Sequence, residues 1–232
     1  MEGVQNRMES DMDRFGAQGA TEYDARISTL VPGYTVLHEV SAAVLHARLP
    51  EHARVLVVGA GTGAEILALA QKRPDWRFTA LDTSADMLAM ASQKCAAKGI
   101  HQVDFFHGLV ADLPMSEPYD AVLCLLVMHF ISGVREKQAF LCSIARHTKM
   151  GAPLLLCDLM QGDDTERAAM AEYAVAHGLP EQFTAALKQR LSHEFFVLTE
   201  LEWVDLATQS GFRQPLSYFR ALGFAAYICL RT

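Results

Sequence analysis

The segment Val55–Glu65 constrains the fold of this chain more than any other stretch. Four apolar residues that favour β-strands run directly into three glycines at alternate positions, and a helical pattern starts at Ala64. This order predicts a buried strand, a tight turn and a helix N-terminus. Glycine permits positive φ angles and a close approach of a ligand, and the helix start offers unpaired N–H groups. We therefore expect a ligand to be bordered by Gly59, Ala60, Gly61 and Gly63.

An acidic residue stands at the end of the next strand-like run. Asp82 closes residues 76–82 and lies at about the spacing at which a carboxylate meets the ribose hydroxyls of a nucleotide. Together with the glycine turn it indicates a nucleoside cofactor. Ala64 can fill the third position of the dinucleotide motif, so NAD is an alternative on these residues alone.

Strand and helix patterns alternate through the middle of the chain. We predict strands at 55–58, 76–82, 103–107, 119–127 and 153–159, with helices at 64–72, 85–98 and 134–146. Such alternation implies parallel βαβ units with helices on both faces, that is, an α/β fold. The ligand crevice then lies at the carboxyl ends of the strands. The residues flagged after the third and fourth strands, Gly108, Leu109, Val110 and Leu125, fall at that edge.

The C-terminal part ends differently. A capping box from Thr199 to Glu202 begins a helix that continues to Ser210. The runs 212–218 and 224–230 are strand-like and close enough in sequence to form an antiparallel hairpin. A sheet closed by a hairpin, without a second βαβαβ half for a nicotinamide, disfavours NAD.

Two helical blocks flank the predicted sheet edge in sequence. The first precedes the first strand and has helical patterns at 22–30 and 34–49, with Tyr34 at the start of the second; residues 1–20 are polar and form either a tail or a short helix. The other block, residues 161–191, has a helical composition and is interrupted at Gly178 and Pro180. We expect both blocks to cover the pocket as a lid. The chain is then one domain, divided into a lid at 1–50, a core at 51–160, a lid insertion at 161–198 and a C-terminal helix and hairpin at 199–232.

Composition limits the partners of the chain. The formal charge of −7 over 232 residues argues against a nucleic-acid or anionic-lipid partner, and no run of 18 apolar residues predicts a membrane span. The N-terminus lacks a signal-peptide pattern, and five scattered cysteines without a Cys-x-x-Cys motif suit a reduced cytoplasmic protein. The nine histidines form no metal-ligand motif. We expect a small-molecule partner and no metal, and leave open whether the protein is a homodimer.

In combination the motifs resemble the class I S-adenosylmethionine-dependent methyltransferases over roughly residues 50–230. The resemblance rests on Val-Val-Gly-Ala-Gly-Thr-Gly, Leu-Asp-Thr-Ser-Ala-Asp-Met-Leu, Ala-Asp-Leu-Pro, Tyr-Asp-Ala-Val-Leu-Cys-Leu-Leu-Val-Met-His-Phe and the terminal hairpin. It implies a Rossmann-like, seven-stranded sheet with an antiparallel last strand. It also implies S-adenosylmethionine as the cofactor and S-adenosylhomocysteine as the product.

The resemblance also implies roles for single residues. The glycine turn would flank the methionine portion, Asp82 would hold the ribose hydroxyls, Thr83 and Met87 would lie near the adenine, and Leu125 would flank the cofactor. The family's Gly-Asp-Ala pattern is Gly108-Leu109-Val110 here. The acid that can bond the adenine amino group is absent, so Leu109 and Val110 offer backbone groups and apolar contact only.

A narrower similarity links the chain to the carboxy-S-adenosylmethionine synthases of tRNA wobble-uridine modification. It rests on Val-Pro-Gly-Tyr before the first strand and on the stretch from 188–190 to 198–200. It implies that Tyr34 lies by the cofactor and that Arg190 pairs with an extra carboxylate on it; the alternative is an Arg190 solvated on a helix. Leu109 and Leu125 depart from that family. We therefore expect a relative with a similar lid and a different acceptor.

Methyl transfer is an in-line displacement that requires correct positioning of donor and acceptor, desolvation and, for some acceptors, a base. His129 is the candidate base because it follows the fourth strand, where an acceptor must lie. The alternative is a histidine that is hydrogen-bonded beneath the lid. We expect a methyltransferase acting on a small-molecule acceptor. The alternatives are a carboxy-S-adenosylmethionine synthase-like enzyme and a protein that binds the cofactor without catalysis.

Overall fold

The computed structural model describes residues 15–232, which contain one seven-stranded sheet. The strands are β1 (Arg54–Val58), β2 (Arg77–Asp82), β3 (Val103–His107), β4 (Ala121–Leu125), β5 (Pro153–Leu159), β6 (Leu216–Ala221) and β7 (Phe224–Leu230). Their order is β3-β2-β1-β4-β5-β7-β6. Strands β1 to β5 pair in parallel, whereas β7 is antiparallel to both of its neighbours. The predicted Rossmann-like α/β sheet with an antiparallel hairpin is confirmed.

Eight α-helices connect and cover the strands within the described residues. They are α1 (Ala17–Leu30), α2 (Tyr34–His46), α3 (Ala64–Ala70), α4 (Ala85–Ala97), α5 (Val134–His147), α6 (Asp164–Ala176), α7 (Thr184–His193) and α8 (Glu200–Gln209). The Ser84 hydroxyl accepts a hydrogen bond from the N–H of Met87 and caps α4, and the predicted capping box of Thr199 and Glu202 is present. No helix of residues 15–232 is both long and apolar enough to cross a bilayer.

The sheet has a hydrophobic core on each face, because alternate residues of each strand point to opposite sides. In β1, Val55 and Val57 pack with residues of α2, α3 and α4, whereas Leu56 and Val58 pack with residues of α5 and α8. Nearly continuous apolar strands are what a parallel sheet covered on both faces requires. The layers leave the carboxyl edge of the sheet as the place where polar side chains collect.

Several predicted boundaries are wrong, each for a local reason. The fourth strand ends at Leu125, because Leu126 adopts a positive φ of 63°. The strand predicted at 212–218 starts at Leu216, after Pro215, which has no N–H for a ladder; Phe212 forms only an isolated bridge with Arg231. The helix predicted to reach Leu49 ends at His46, ahead of Pro50, which disfavours helical geometry in the residue before it. The predictions for residues 1–14 lie outside the described residues.

Candidate active site

The glycine turn after β1 is tied to β2 and leaves room for a ligand. The N–H groups of Gly59 and Ala60 both donate to the Leu81 carbonyl, at 2.8 and 2.9 Å. A Cβ added to Gly59, at a φ of 70°, would lie 2.2 Å from a methyl group of Val127. A Cβ added to Gly61 would meet nothing within 4 Å. Gly59 is therefore required by packing, and Gly61 opens a cradle that faces a cavity.

Asp82 braces this turn from the end of β2. One carboxylate oxygen accepts from the N–H of Gly61 at 2.8 Å, and the other accepts from the N–H of Ser84 at 2.9 Å. Burial raises the pKa of Asp82, and these backbone bonds oppose the rise. Each carboxylate oxygen can accept a second hydrogen bond. Asp82 thus shapes the turn and keeps acceptor capacity for two hydroxyl groups.

A larger cavity of about 490 Å³ opens in front of the glycine turn. Its walls come from the carboxyl ends of β1, β2 and β4, the loop after β3 and one face of α5. The volume falls within the range of small-molecule and cofactor sites, roughly 300–1,000 Å³. The predicted cofactor-binding residues that line this larger cavity are Gly59, Gly61, Asp82, Thr83, Met87, Gly108, Leu109, Val110 and Leu125.

Three predicted cofactor residues do not line it. Ala60 is buried inside the turn, and Gly63 begins α3 so close to Ala91 that an added Cβ would lie 3.1 Å from the Ala91 Cβ. These two residues support the turn from behind. Tyr34 packs its ring edge against His38, with centroids 4.4 Å apart, and burial raises the pKa of its hydroxyl. A cofactor contact by Tyr34 stays a prediction.

A smaller cavity of about 100 Å³ lies next to the larger one. His129 and Arg190 line this smaller cavity, so the structure brings the candidate base and the candidate anion-binding residue together, apart from the glycine turn. Four residues line both cavities and form a shared wall: Phe15, Tyr23, Leu126 and Phe130. None of the four was a predicted site residue.

Leu126 holds an unusual backbone conformation within this shared wall. Its φ is 63°, its side chain is buried, and its N–H donates to the Cys157 carbonyl at 2.7 Å. A residue other than glycine in the left-handed region costs on the order of 1 kcal/mol or more, and such strain concentrates at functional sites. The strained residue separates the two cavities, where β4 ends.

His129 is buried and held from several sides. Its Nδ1 pairs with a carboxylate oxygen of Asp158, its carbonyl accepts from the N–H of Phe196 at 2.8 Å, and its ring meets Phe195 edge to face at 4.9 Å. A carboxylate can only accept, so a neutral ring in this pairing carries its proton on Nδ1 and leaves Nε2 as the acceptor. Asp158 was missed, although a single charged residue inside the apolar strand β5 was a signal for it.

Arg190 faces the smaller cavity from α7. Its Nε donates to a Glu194 carboxylate oxygen at 2.9 Å, and its side chain is one-third exposed. Arg26 and Tyr23 of α1 line the same cavity among mostly apolar residues. Neither residue was predicted from the sequence. No group of three or more His, Cys, Asp or Glu suited to a metal ion occurs within residues 15–232.

Helix α1 lies across the site and is fastened to the core. Asp24 accepts from the Thr62 hydroxyl of the glycine turn at 2.5 Å and pairs with the Lys94 ammonium of α4. Lid contacts were predicted for residues 34–49, but no residue of α2 lines either cavity. The apolar side of α2, with Leu37 and Leu45, is buried in the core instead. The smaller cavity is lined instead by residues of α1, α6 and α7.

Comparisons with known proteins agree with this arrangement. A family model described as a methyltransferase domain matches residues 55–151. A carboxy-S-adenosyl-L-methionine synthase of Campylobacter hominis is 25% identical over 219 residues, covering 92% of this chain and 92% of the relative. The enzyme of the same name from Campylobacter concisus is 26% identical over 230 residues, covering 91% and 92%.

Solved structures show the same fold. Magnesium protoporphyrin IX methyltransferase of Synechocystis, solved with bound S-adenosylhomocysteine, superposes with a TM-score of 0.70 at 16% identity, over 97% of this chain and all of that one. Human N-acetylserotonin methyltransferase, solved with S-adenosylmethionine, gives 0.58 at 17% identity over 84% of this chain, which spans about half (51%) of that enzyme. The matching domain model and the curated relatives thus make this chain similar to the class I S-adenosylmethionine-dependent methyltransferases, whose fold it shares.

Proposed function

We propose that this protein transfers a methyl group from S-adenosylmethionine to a small-molecule acceptor. One observation carries the proposal: two cavities share a wall at the carboxyl edge of the sheet. The larger contains the glycine turn and Asp82, and the smaller contains the buried His129–Asp158 pair. A donor in one cavity and an acceptor in the other would come closest at this shared border, where β4 ends.

The residues of the larger cavity suit the cofactor. The open space at Gly61 admits a ligand against the backbone, and Asp82 has acceptor positions for the two ribose hydroxyls. Thr83 and Met87 stand on the adenine side, with Leu109 and Val110 as apolar neighbours. When bound, S-adenosylmethionine supplies a methyl group attached to a positively charged sulfur. Loss of this methyl group to the acceptor leaves the sulfur as a neutral thioether.

The smaller cavity suits a compact, partly apolar acceptor with a dissociable proton. An apolar cavity of ~150 Å³ holds one benzene ring, so about 100 Å³ admits the reactive end of such a molecule. His129 Nε2 accepts the acceptor's proton, because Asp158 holds the proton of the ring on Nδ1. The shared wall and α1 exclude water, which would otherwise solvate the reacting groups.

Turnover tests the proposal. Methyl-labelled S-adenosylmethionine is incubated with a panel of small hydroxylated and amine acceptors, and formation of S-adenosylhomocysteine is measured. His129→Gln is expected to lower kcat by about 10²–10⁴-fold with cofactor affinity unchanged. His101→Gln, at an exposed loop position, is the control. Wild-type turnover in His129→Gln rules out the base, and cofactor binding without turnover on any acceptor leaves a binding protein.

A second candidate is the formation or use of carboxy-S-adenosylmethionine. It is favoured by the relatives named as carboxy-S-adenosyl-L-methionine synthases and by Arg190, which lines the smaller cavity where an extra carboxylate on the transferred group would point. Arginine can bond both oxygens of a carboxylate. The departures at Leu109 and Leu125, and the bond from Arg190 to Glu194, favour the methyl transfer.

A competition experiment separates the two candidates. S-adenosylmethionine and its carboxylated form compete for the wild type, Arg190→Ala and Lys188→Ala, a control on the same helix. For a methyltransferase we expect no preference that depends on Arg190. A preference for the carboxylated form that is lost in Arg190→Ala and kept in Lys188→Ala would overturn the main proposal.

A further inference from the structure

Three ionisable side chains form a buried cluster at one side of the smaller cavity. His129, Asp158 and Lys137 are 5%, 2% and 2% exposed, and they come from the turn after β4, from β5 and from α5. Of the three, His129 alone lines the cavity. Lys137 Nζ donates to the carbonyl of Met128, the residue directly before His129.

Lys137 has no other role in the proposed reaction, yet its burial is exceptional. It is the only fully buried lysine or arginine within residues 15–232. Burial lowers the pKa of Lys137, and the nearby Asp158 carboxylate opposes that change. A buried carboxylate is costly unless a charge or several donors compensate it. The Lys137 ammonium on α5 therefore offsets part of the charge of the Asp158 carboxylate on β5.

This charge balance has a consequence for the imidazole. Next to an unbalanced buried carboxylate, a histidine gains a proton, because an opposite charge favours its charged form. A protonated ring can no longer act as a base. We propose that Lys137 is a positioning residue that keeps His129 neutral, by balancing the charge of Asp158, and that orients the ring through the Met128 carbonyl. The inference rests on the proposed base role of His129.

Other ionisable groups lie near the cluster, but they do not control the protonation of His129. Arg26 and Tyr23 of α1 and Arg190 of α7 line the same cavity. Arginines keep their charge at all relevant pH values, and burial raises the pKa of Tyr23. The thiols of Cys124 and Cys157 lie beside Asp158, and burial raises the pKa of both. None of these groups changes charge between about pH 5 and 9, given these directions.

A ¹⁵N NMR titration of the His129 ring, with neither cofactor nor acceptor present, tests the inference. The His129→Gln spectrum assigns the signals. In the wild type at pH 7 we expect a neutral ring with its proton on Nδ1. In Lys137→Met and Lys137→Gln the titration midpoint moves upward by about one pH unit or more, because the carboxylate is left unbalanced. Gln can still donate to the Met128 carbonyl, so it separates charge from hydrogen bonding.

Rescue and control variants complete the design. Lys137→Arg keeps the charge and is expected to titrate as the wild type does. Adding Asp158→Asn to Lys137→Gln is expected to return the midpoint downward. Lys149→Met, which removes a more exposed lysine paired with Asp120, leaves the midpoint unchanged. An unshifted or lowered midpoint in Lys137→Gln overturns the inference. Failure of His129→Gln to lower turnover would contradict the base role instead, so the two results are distinguishable.

Discussion

Asp82 both stabilises the glycine turn and contributes to the larger cavity. It accepts hydrogen bonds from the glycine turn and from the start of α4, and it faces the larger cavity. We expect Asp82→Ala to weaken S-adenosylhomocysteine binding by roughly 1.5–3 kcal/mol, through loss of charge-assisted bonds. Calorimetry measures the change. Asp86→Ala, an exposed position on α4, is the control, and equal affinities in both variants would remove Asp82 from the site.

The raised pKa of Asp82 adds a pH dependence to that binding. Ribose hydroxyls donate to the ionised carboxylate, so bound cofactor favours the deprotonated form. Affinity is therefore full above the pKa of Asp82 and falls as the pH drops through it, over a range above that of an ordinary aspartate. Calorimetric titrations between pH 4 and 8 check this, and an affinity that is flat over the whole range would contradict it.

The buried Glu65 makes the stability of the fold depend on pH. Burial raises the pKa of Glu65 to about 8 from an ordinary 4.5, and His38, whose pKa burial lowers to about 4, lies with its Nδ1 4.0 Å from the carboxyl. Between pH 4.5 and 8 the folded chain keeps a proton that the unfolded chain releases. The contribution of Glu65 to stability is thus present below about pH 4.5 and is lost as the pH rises through about 8.

Glu65→Gln removes this loss. The variant is expected to exceed the wild type in free energy of unfolding at pH 9 by ~2 kcal/mol or more, and to match it more closely at pH 5. His38 is present in both proteins, so its opposite contribution, which is lost as the pH falls below 6.5, cancels. Urea unfolding at both pH values measures the difference. The exposed Glu39→Gln is the control, and an identical pH slope in Glu65→Gln and wild type would contradict the account.

Among the elements of the predicted N-terminal lid, α2 does not line the site, whereas α1 does. Asp24 joins it to the glycine turn and to α4, and Tyr23 belongs to the shared wall. We expect hydrogen exchange in α1, α6 and α7 to slow when S-adenosylhomocysteine binds, with little change in α2. Asp24→Ala should reduce the protection of α1 and leave that of α7. Protection confined to residues 59–90 would contradict a lid made of these helices.

Across the whole molecule, the sheet was predictable because its signals are local. Apolar strands, the glycine turn, the Ser84 cap and the Thr199–Glu202 capping box each act within a few residues, and the structure has them in place. The shared wall and the pairing of His129 with Asp158 could not be predicted, because the contacts of Leu126, Asp158 and Lys137 form only when distant elements meet. Asp158 had one local signal, its charge within the apolar strand β5. Lys137 also had a signal in the sequence, because it lies on the same apolar helix face as Leu141 and Ile144.

We propose, above all, that donor and acceptor occupy the two cavities on either side of the shared wall. A crystal structure with bound S-adenosylhomocysteine tests it most directly. We predict that the ribose hydroxyls lie on Asp82 and that the sulfur lies at the shared wall of Leu126 and Phe130, facing His129. A product bound elsewhere, or one whose sulfur points away from the smaller cavity with His129 sealed off from it, would contradict the account.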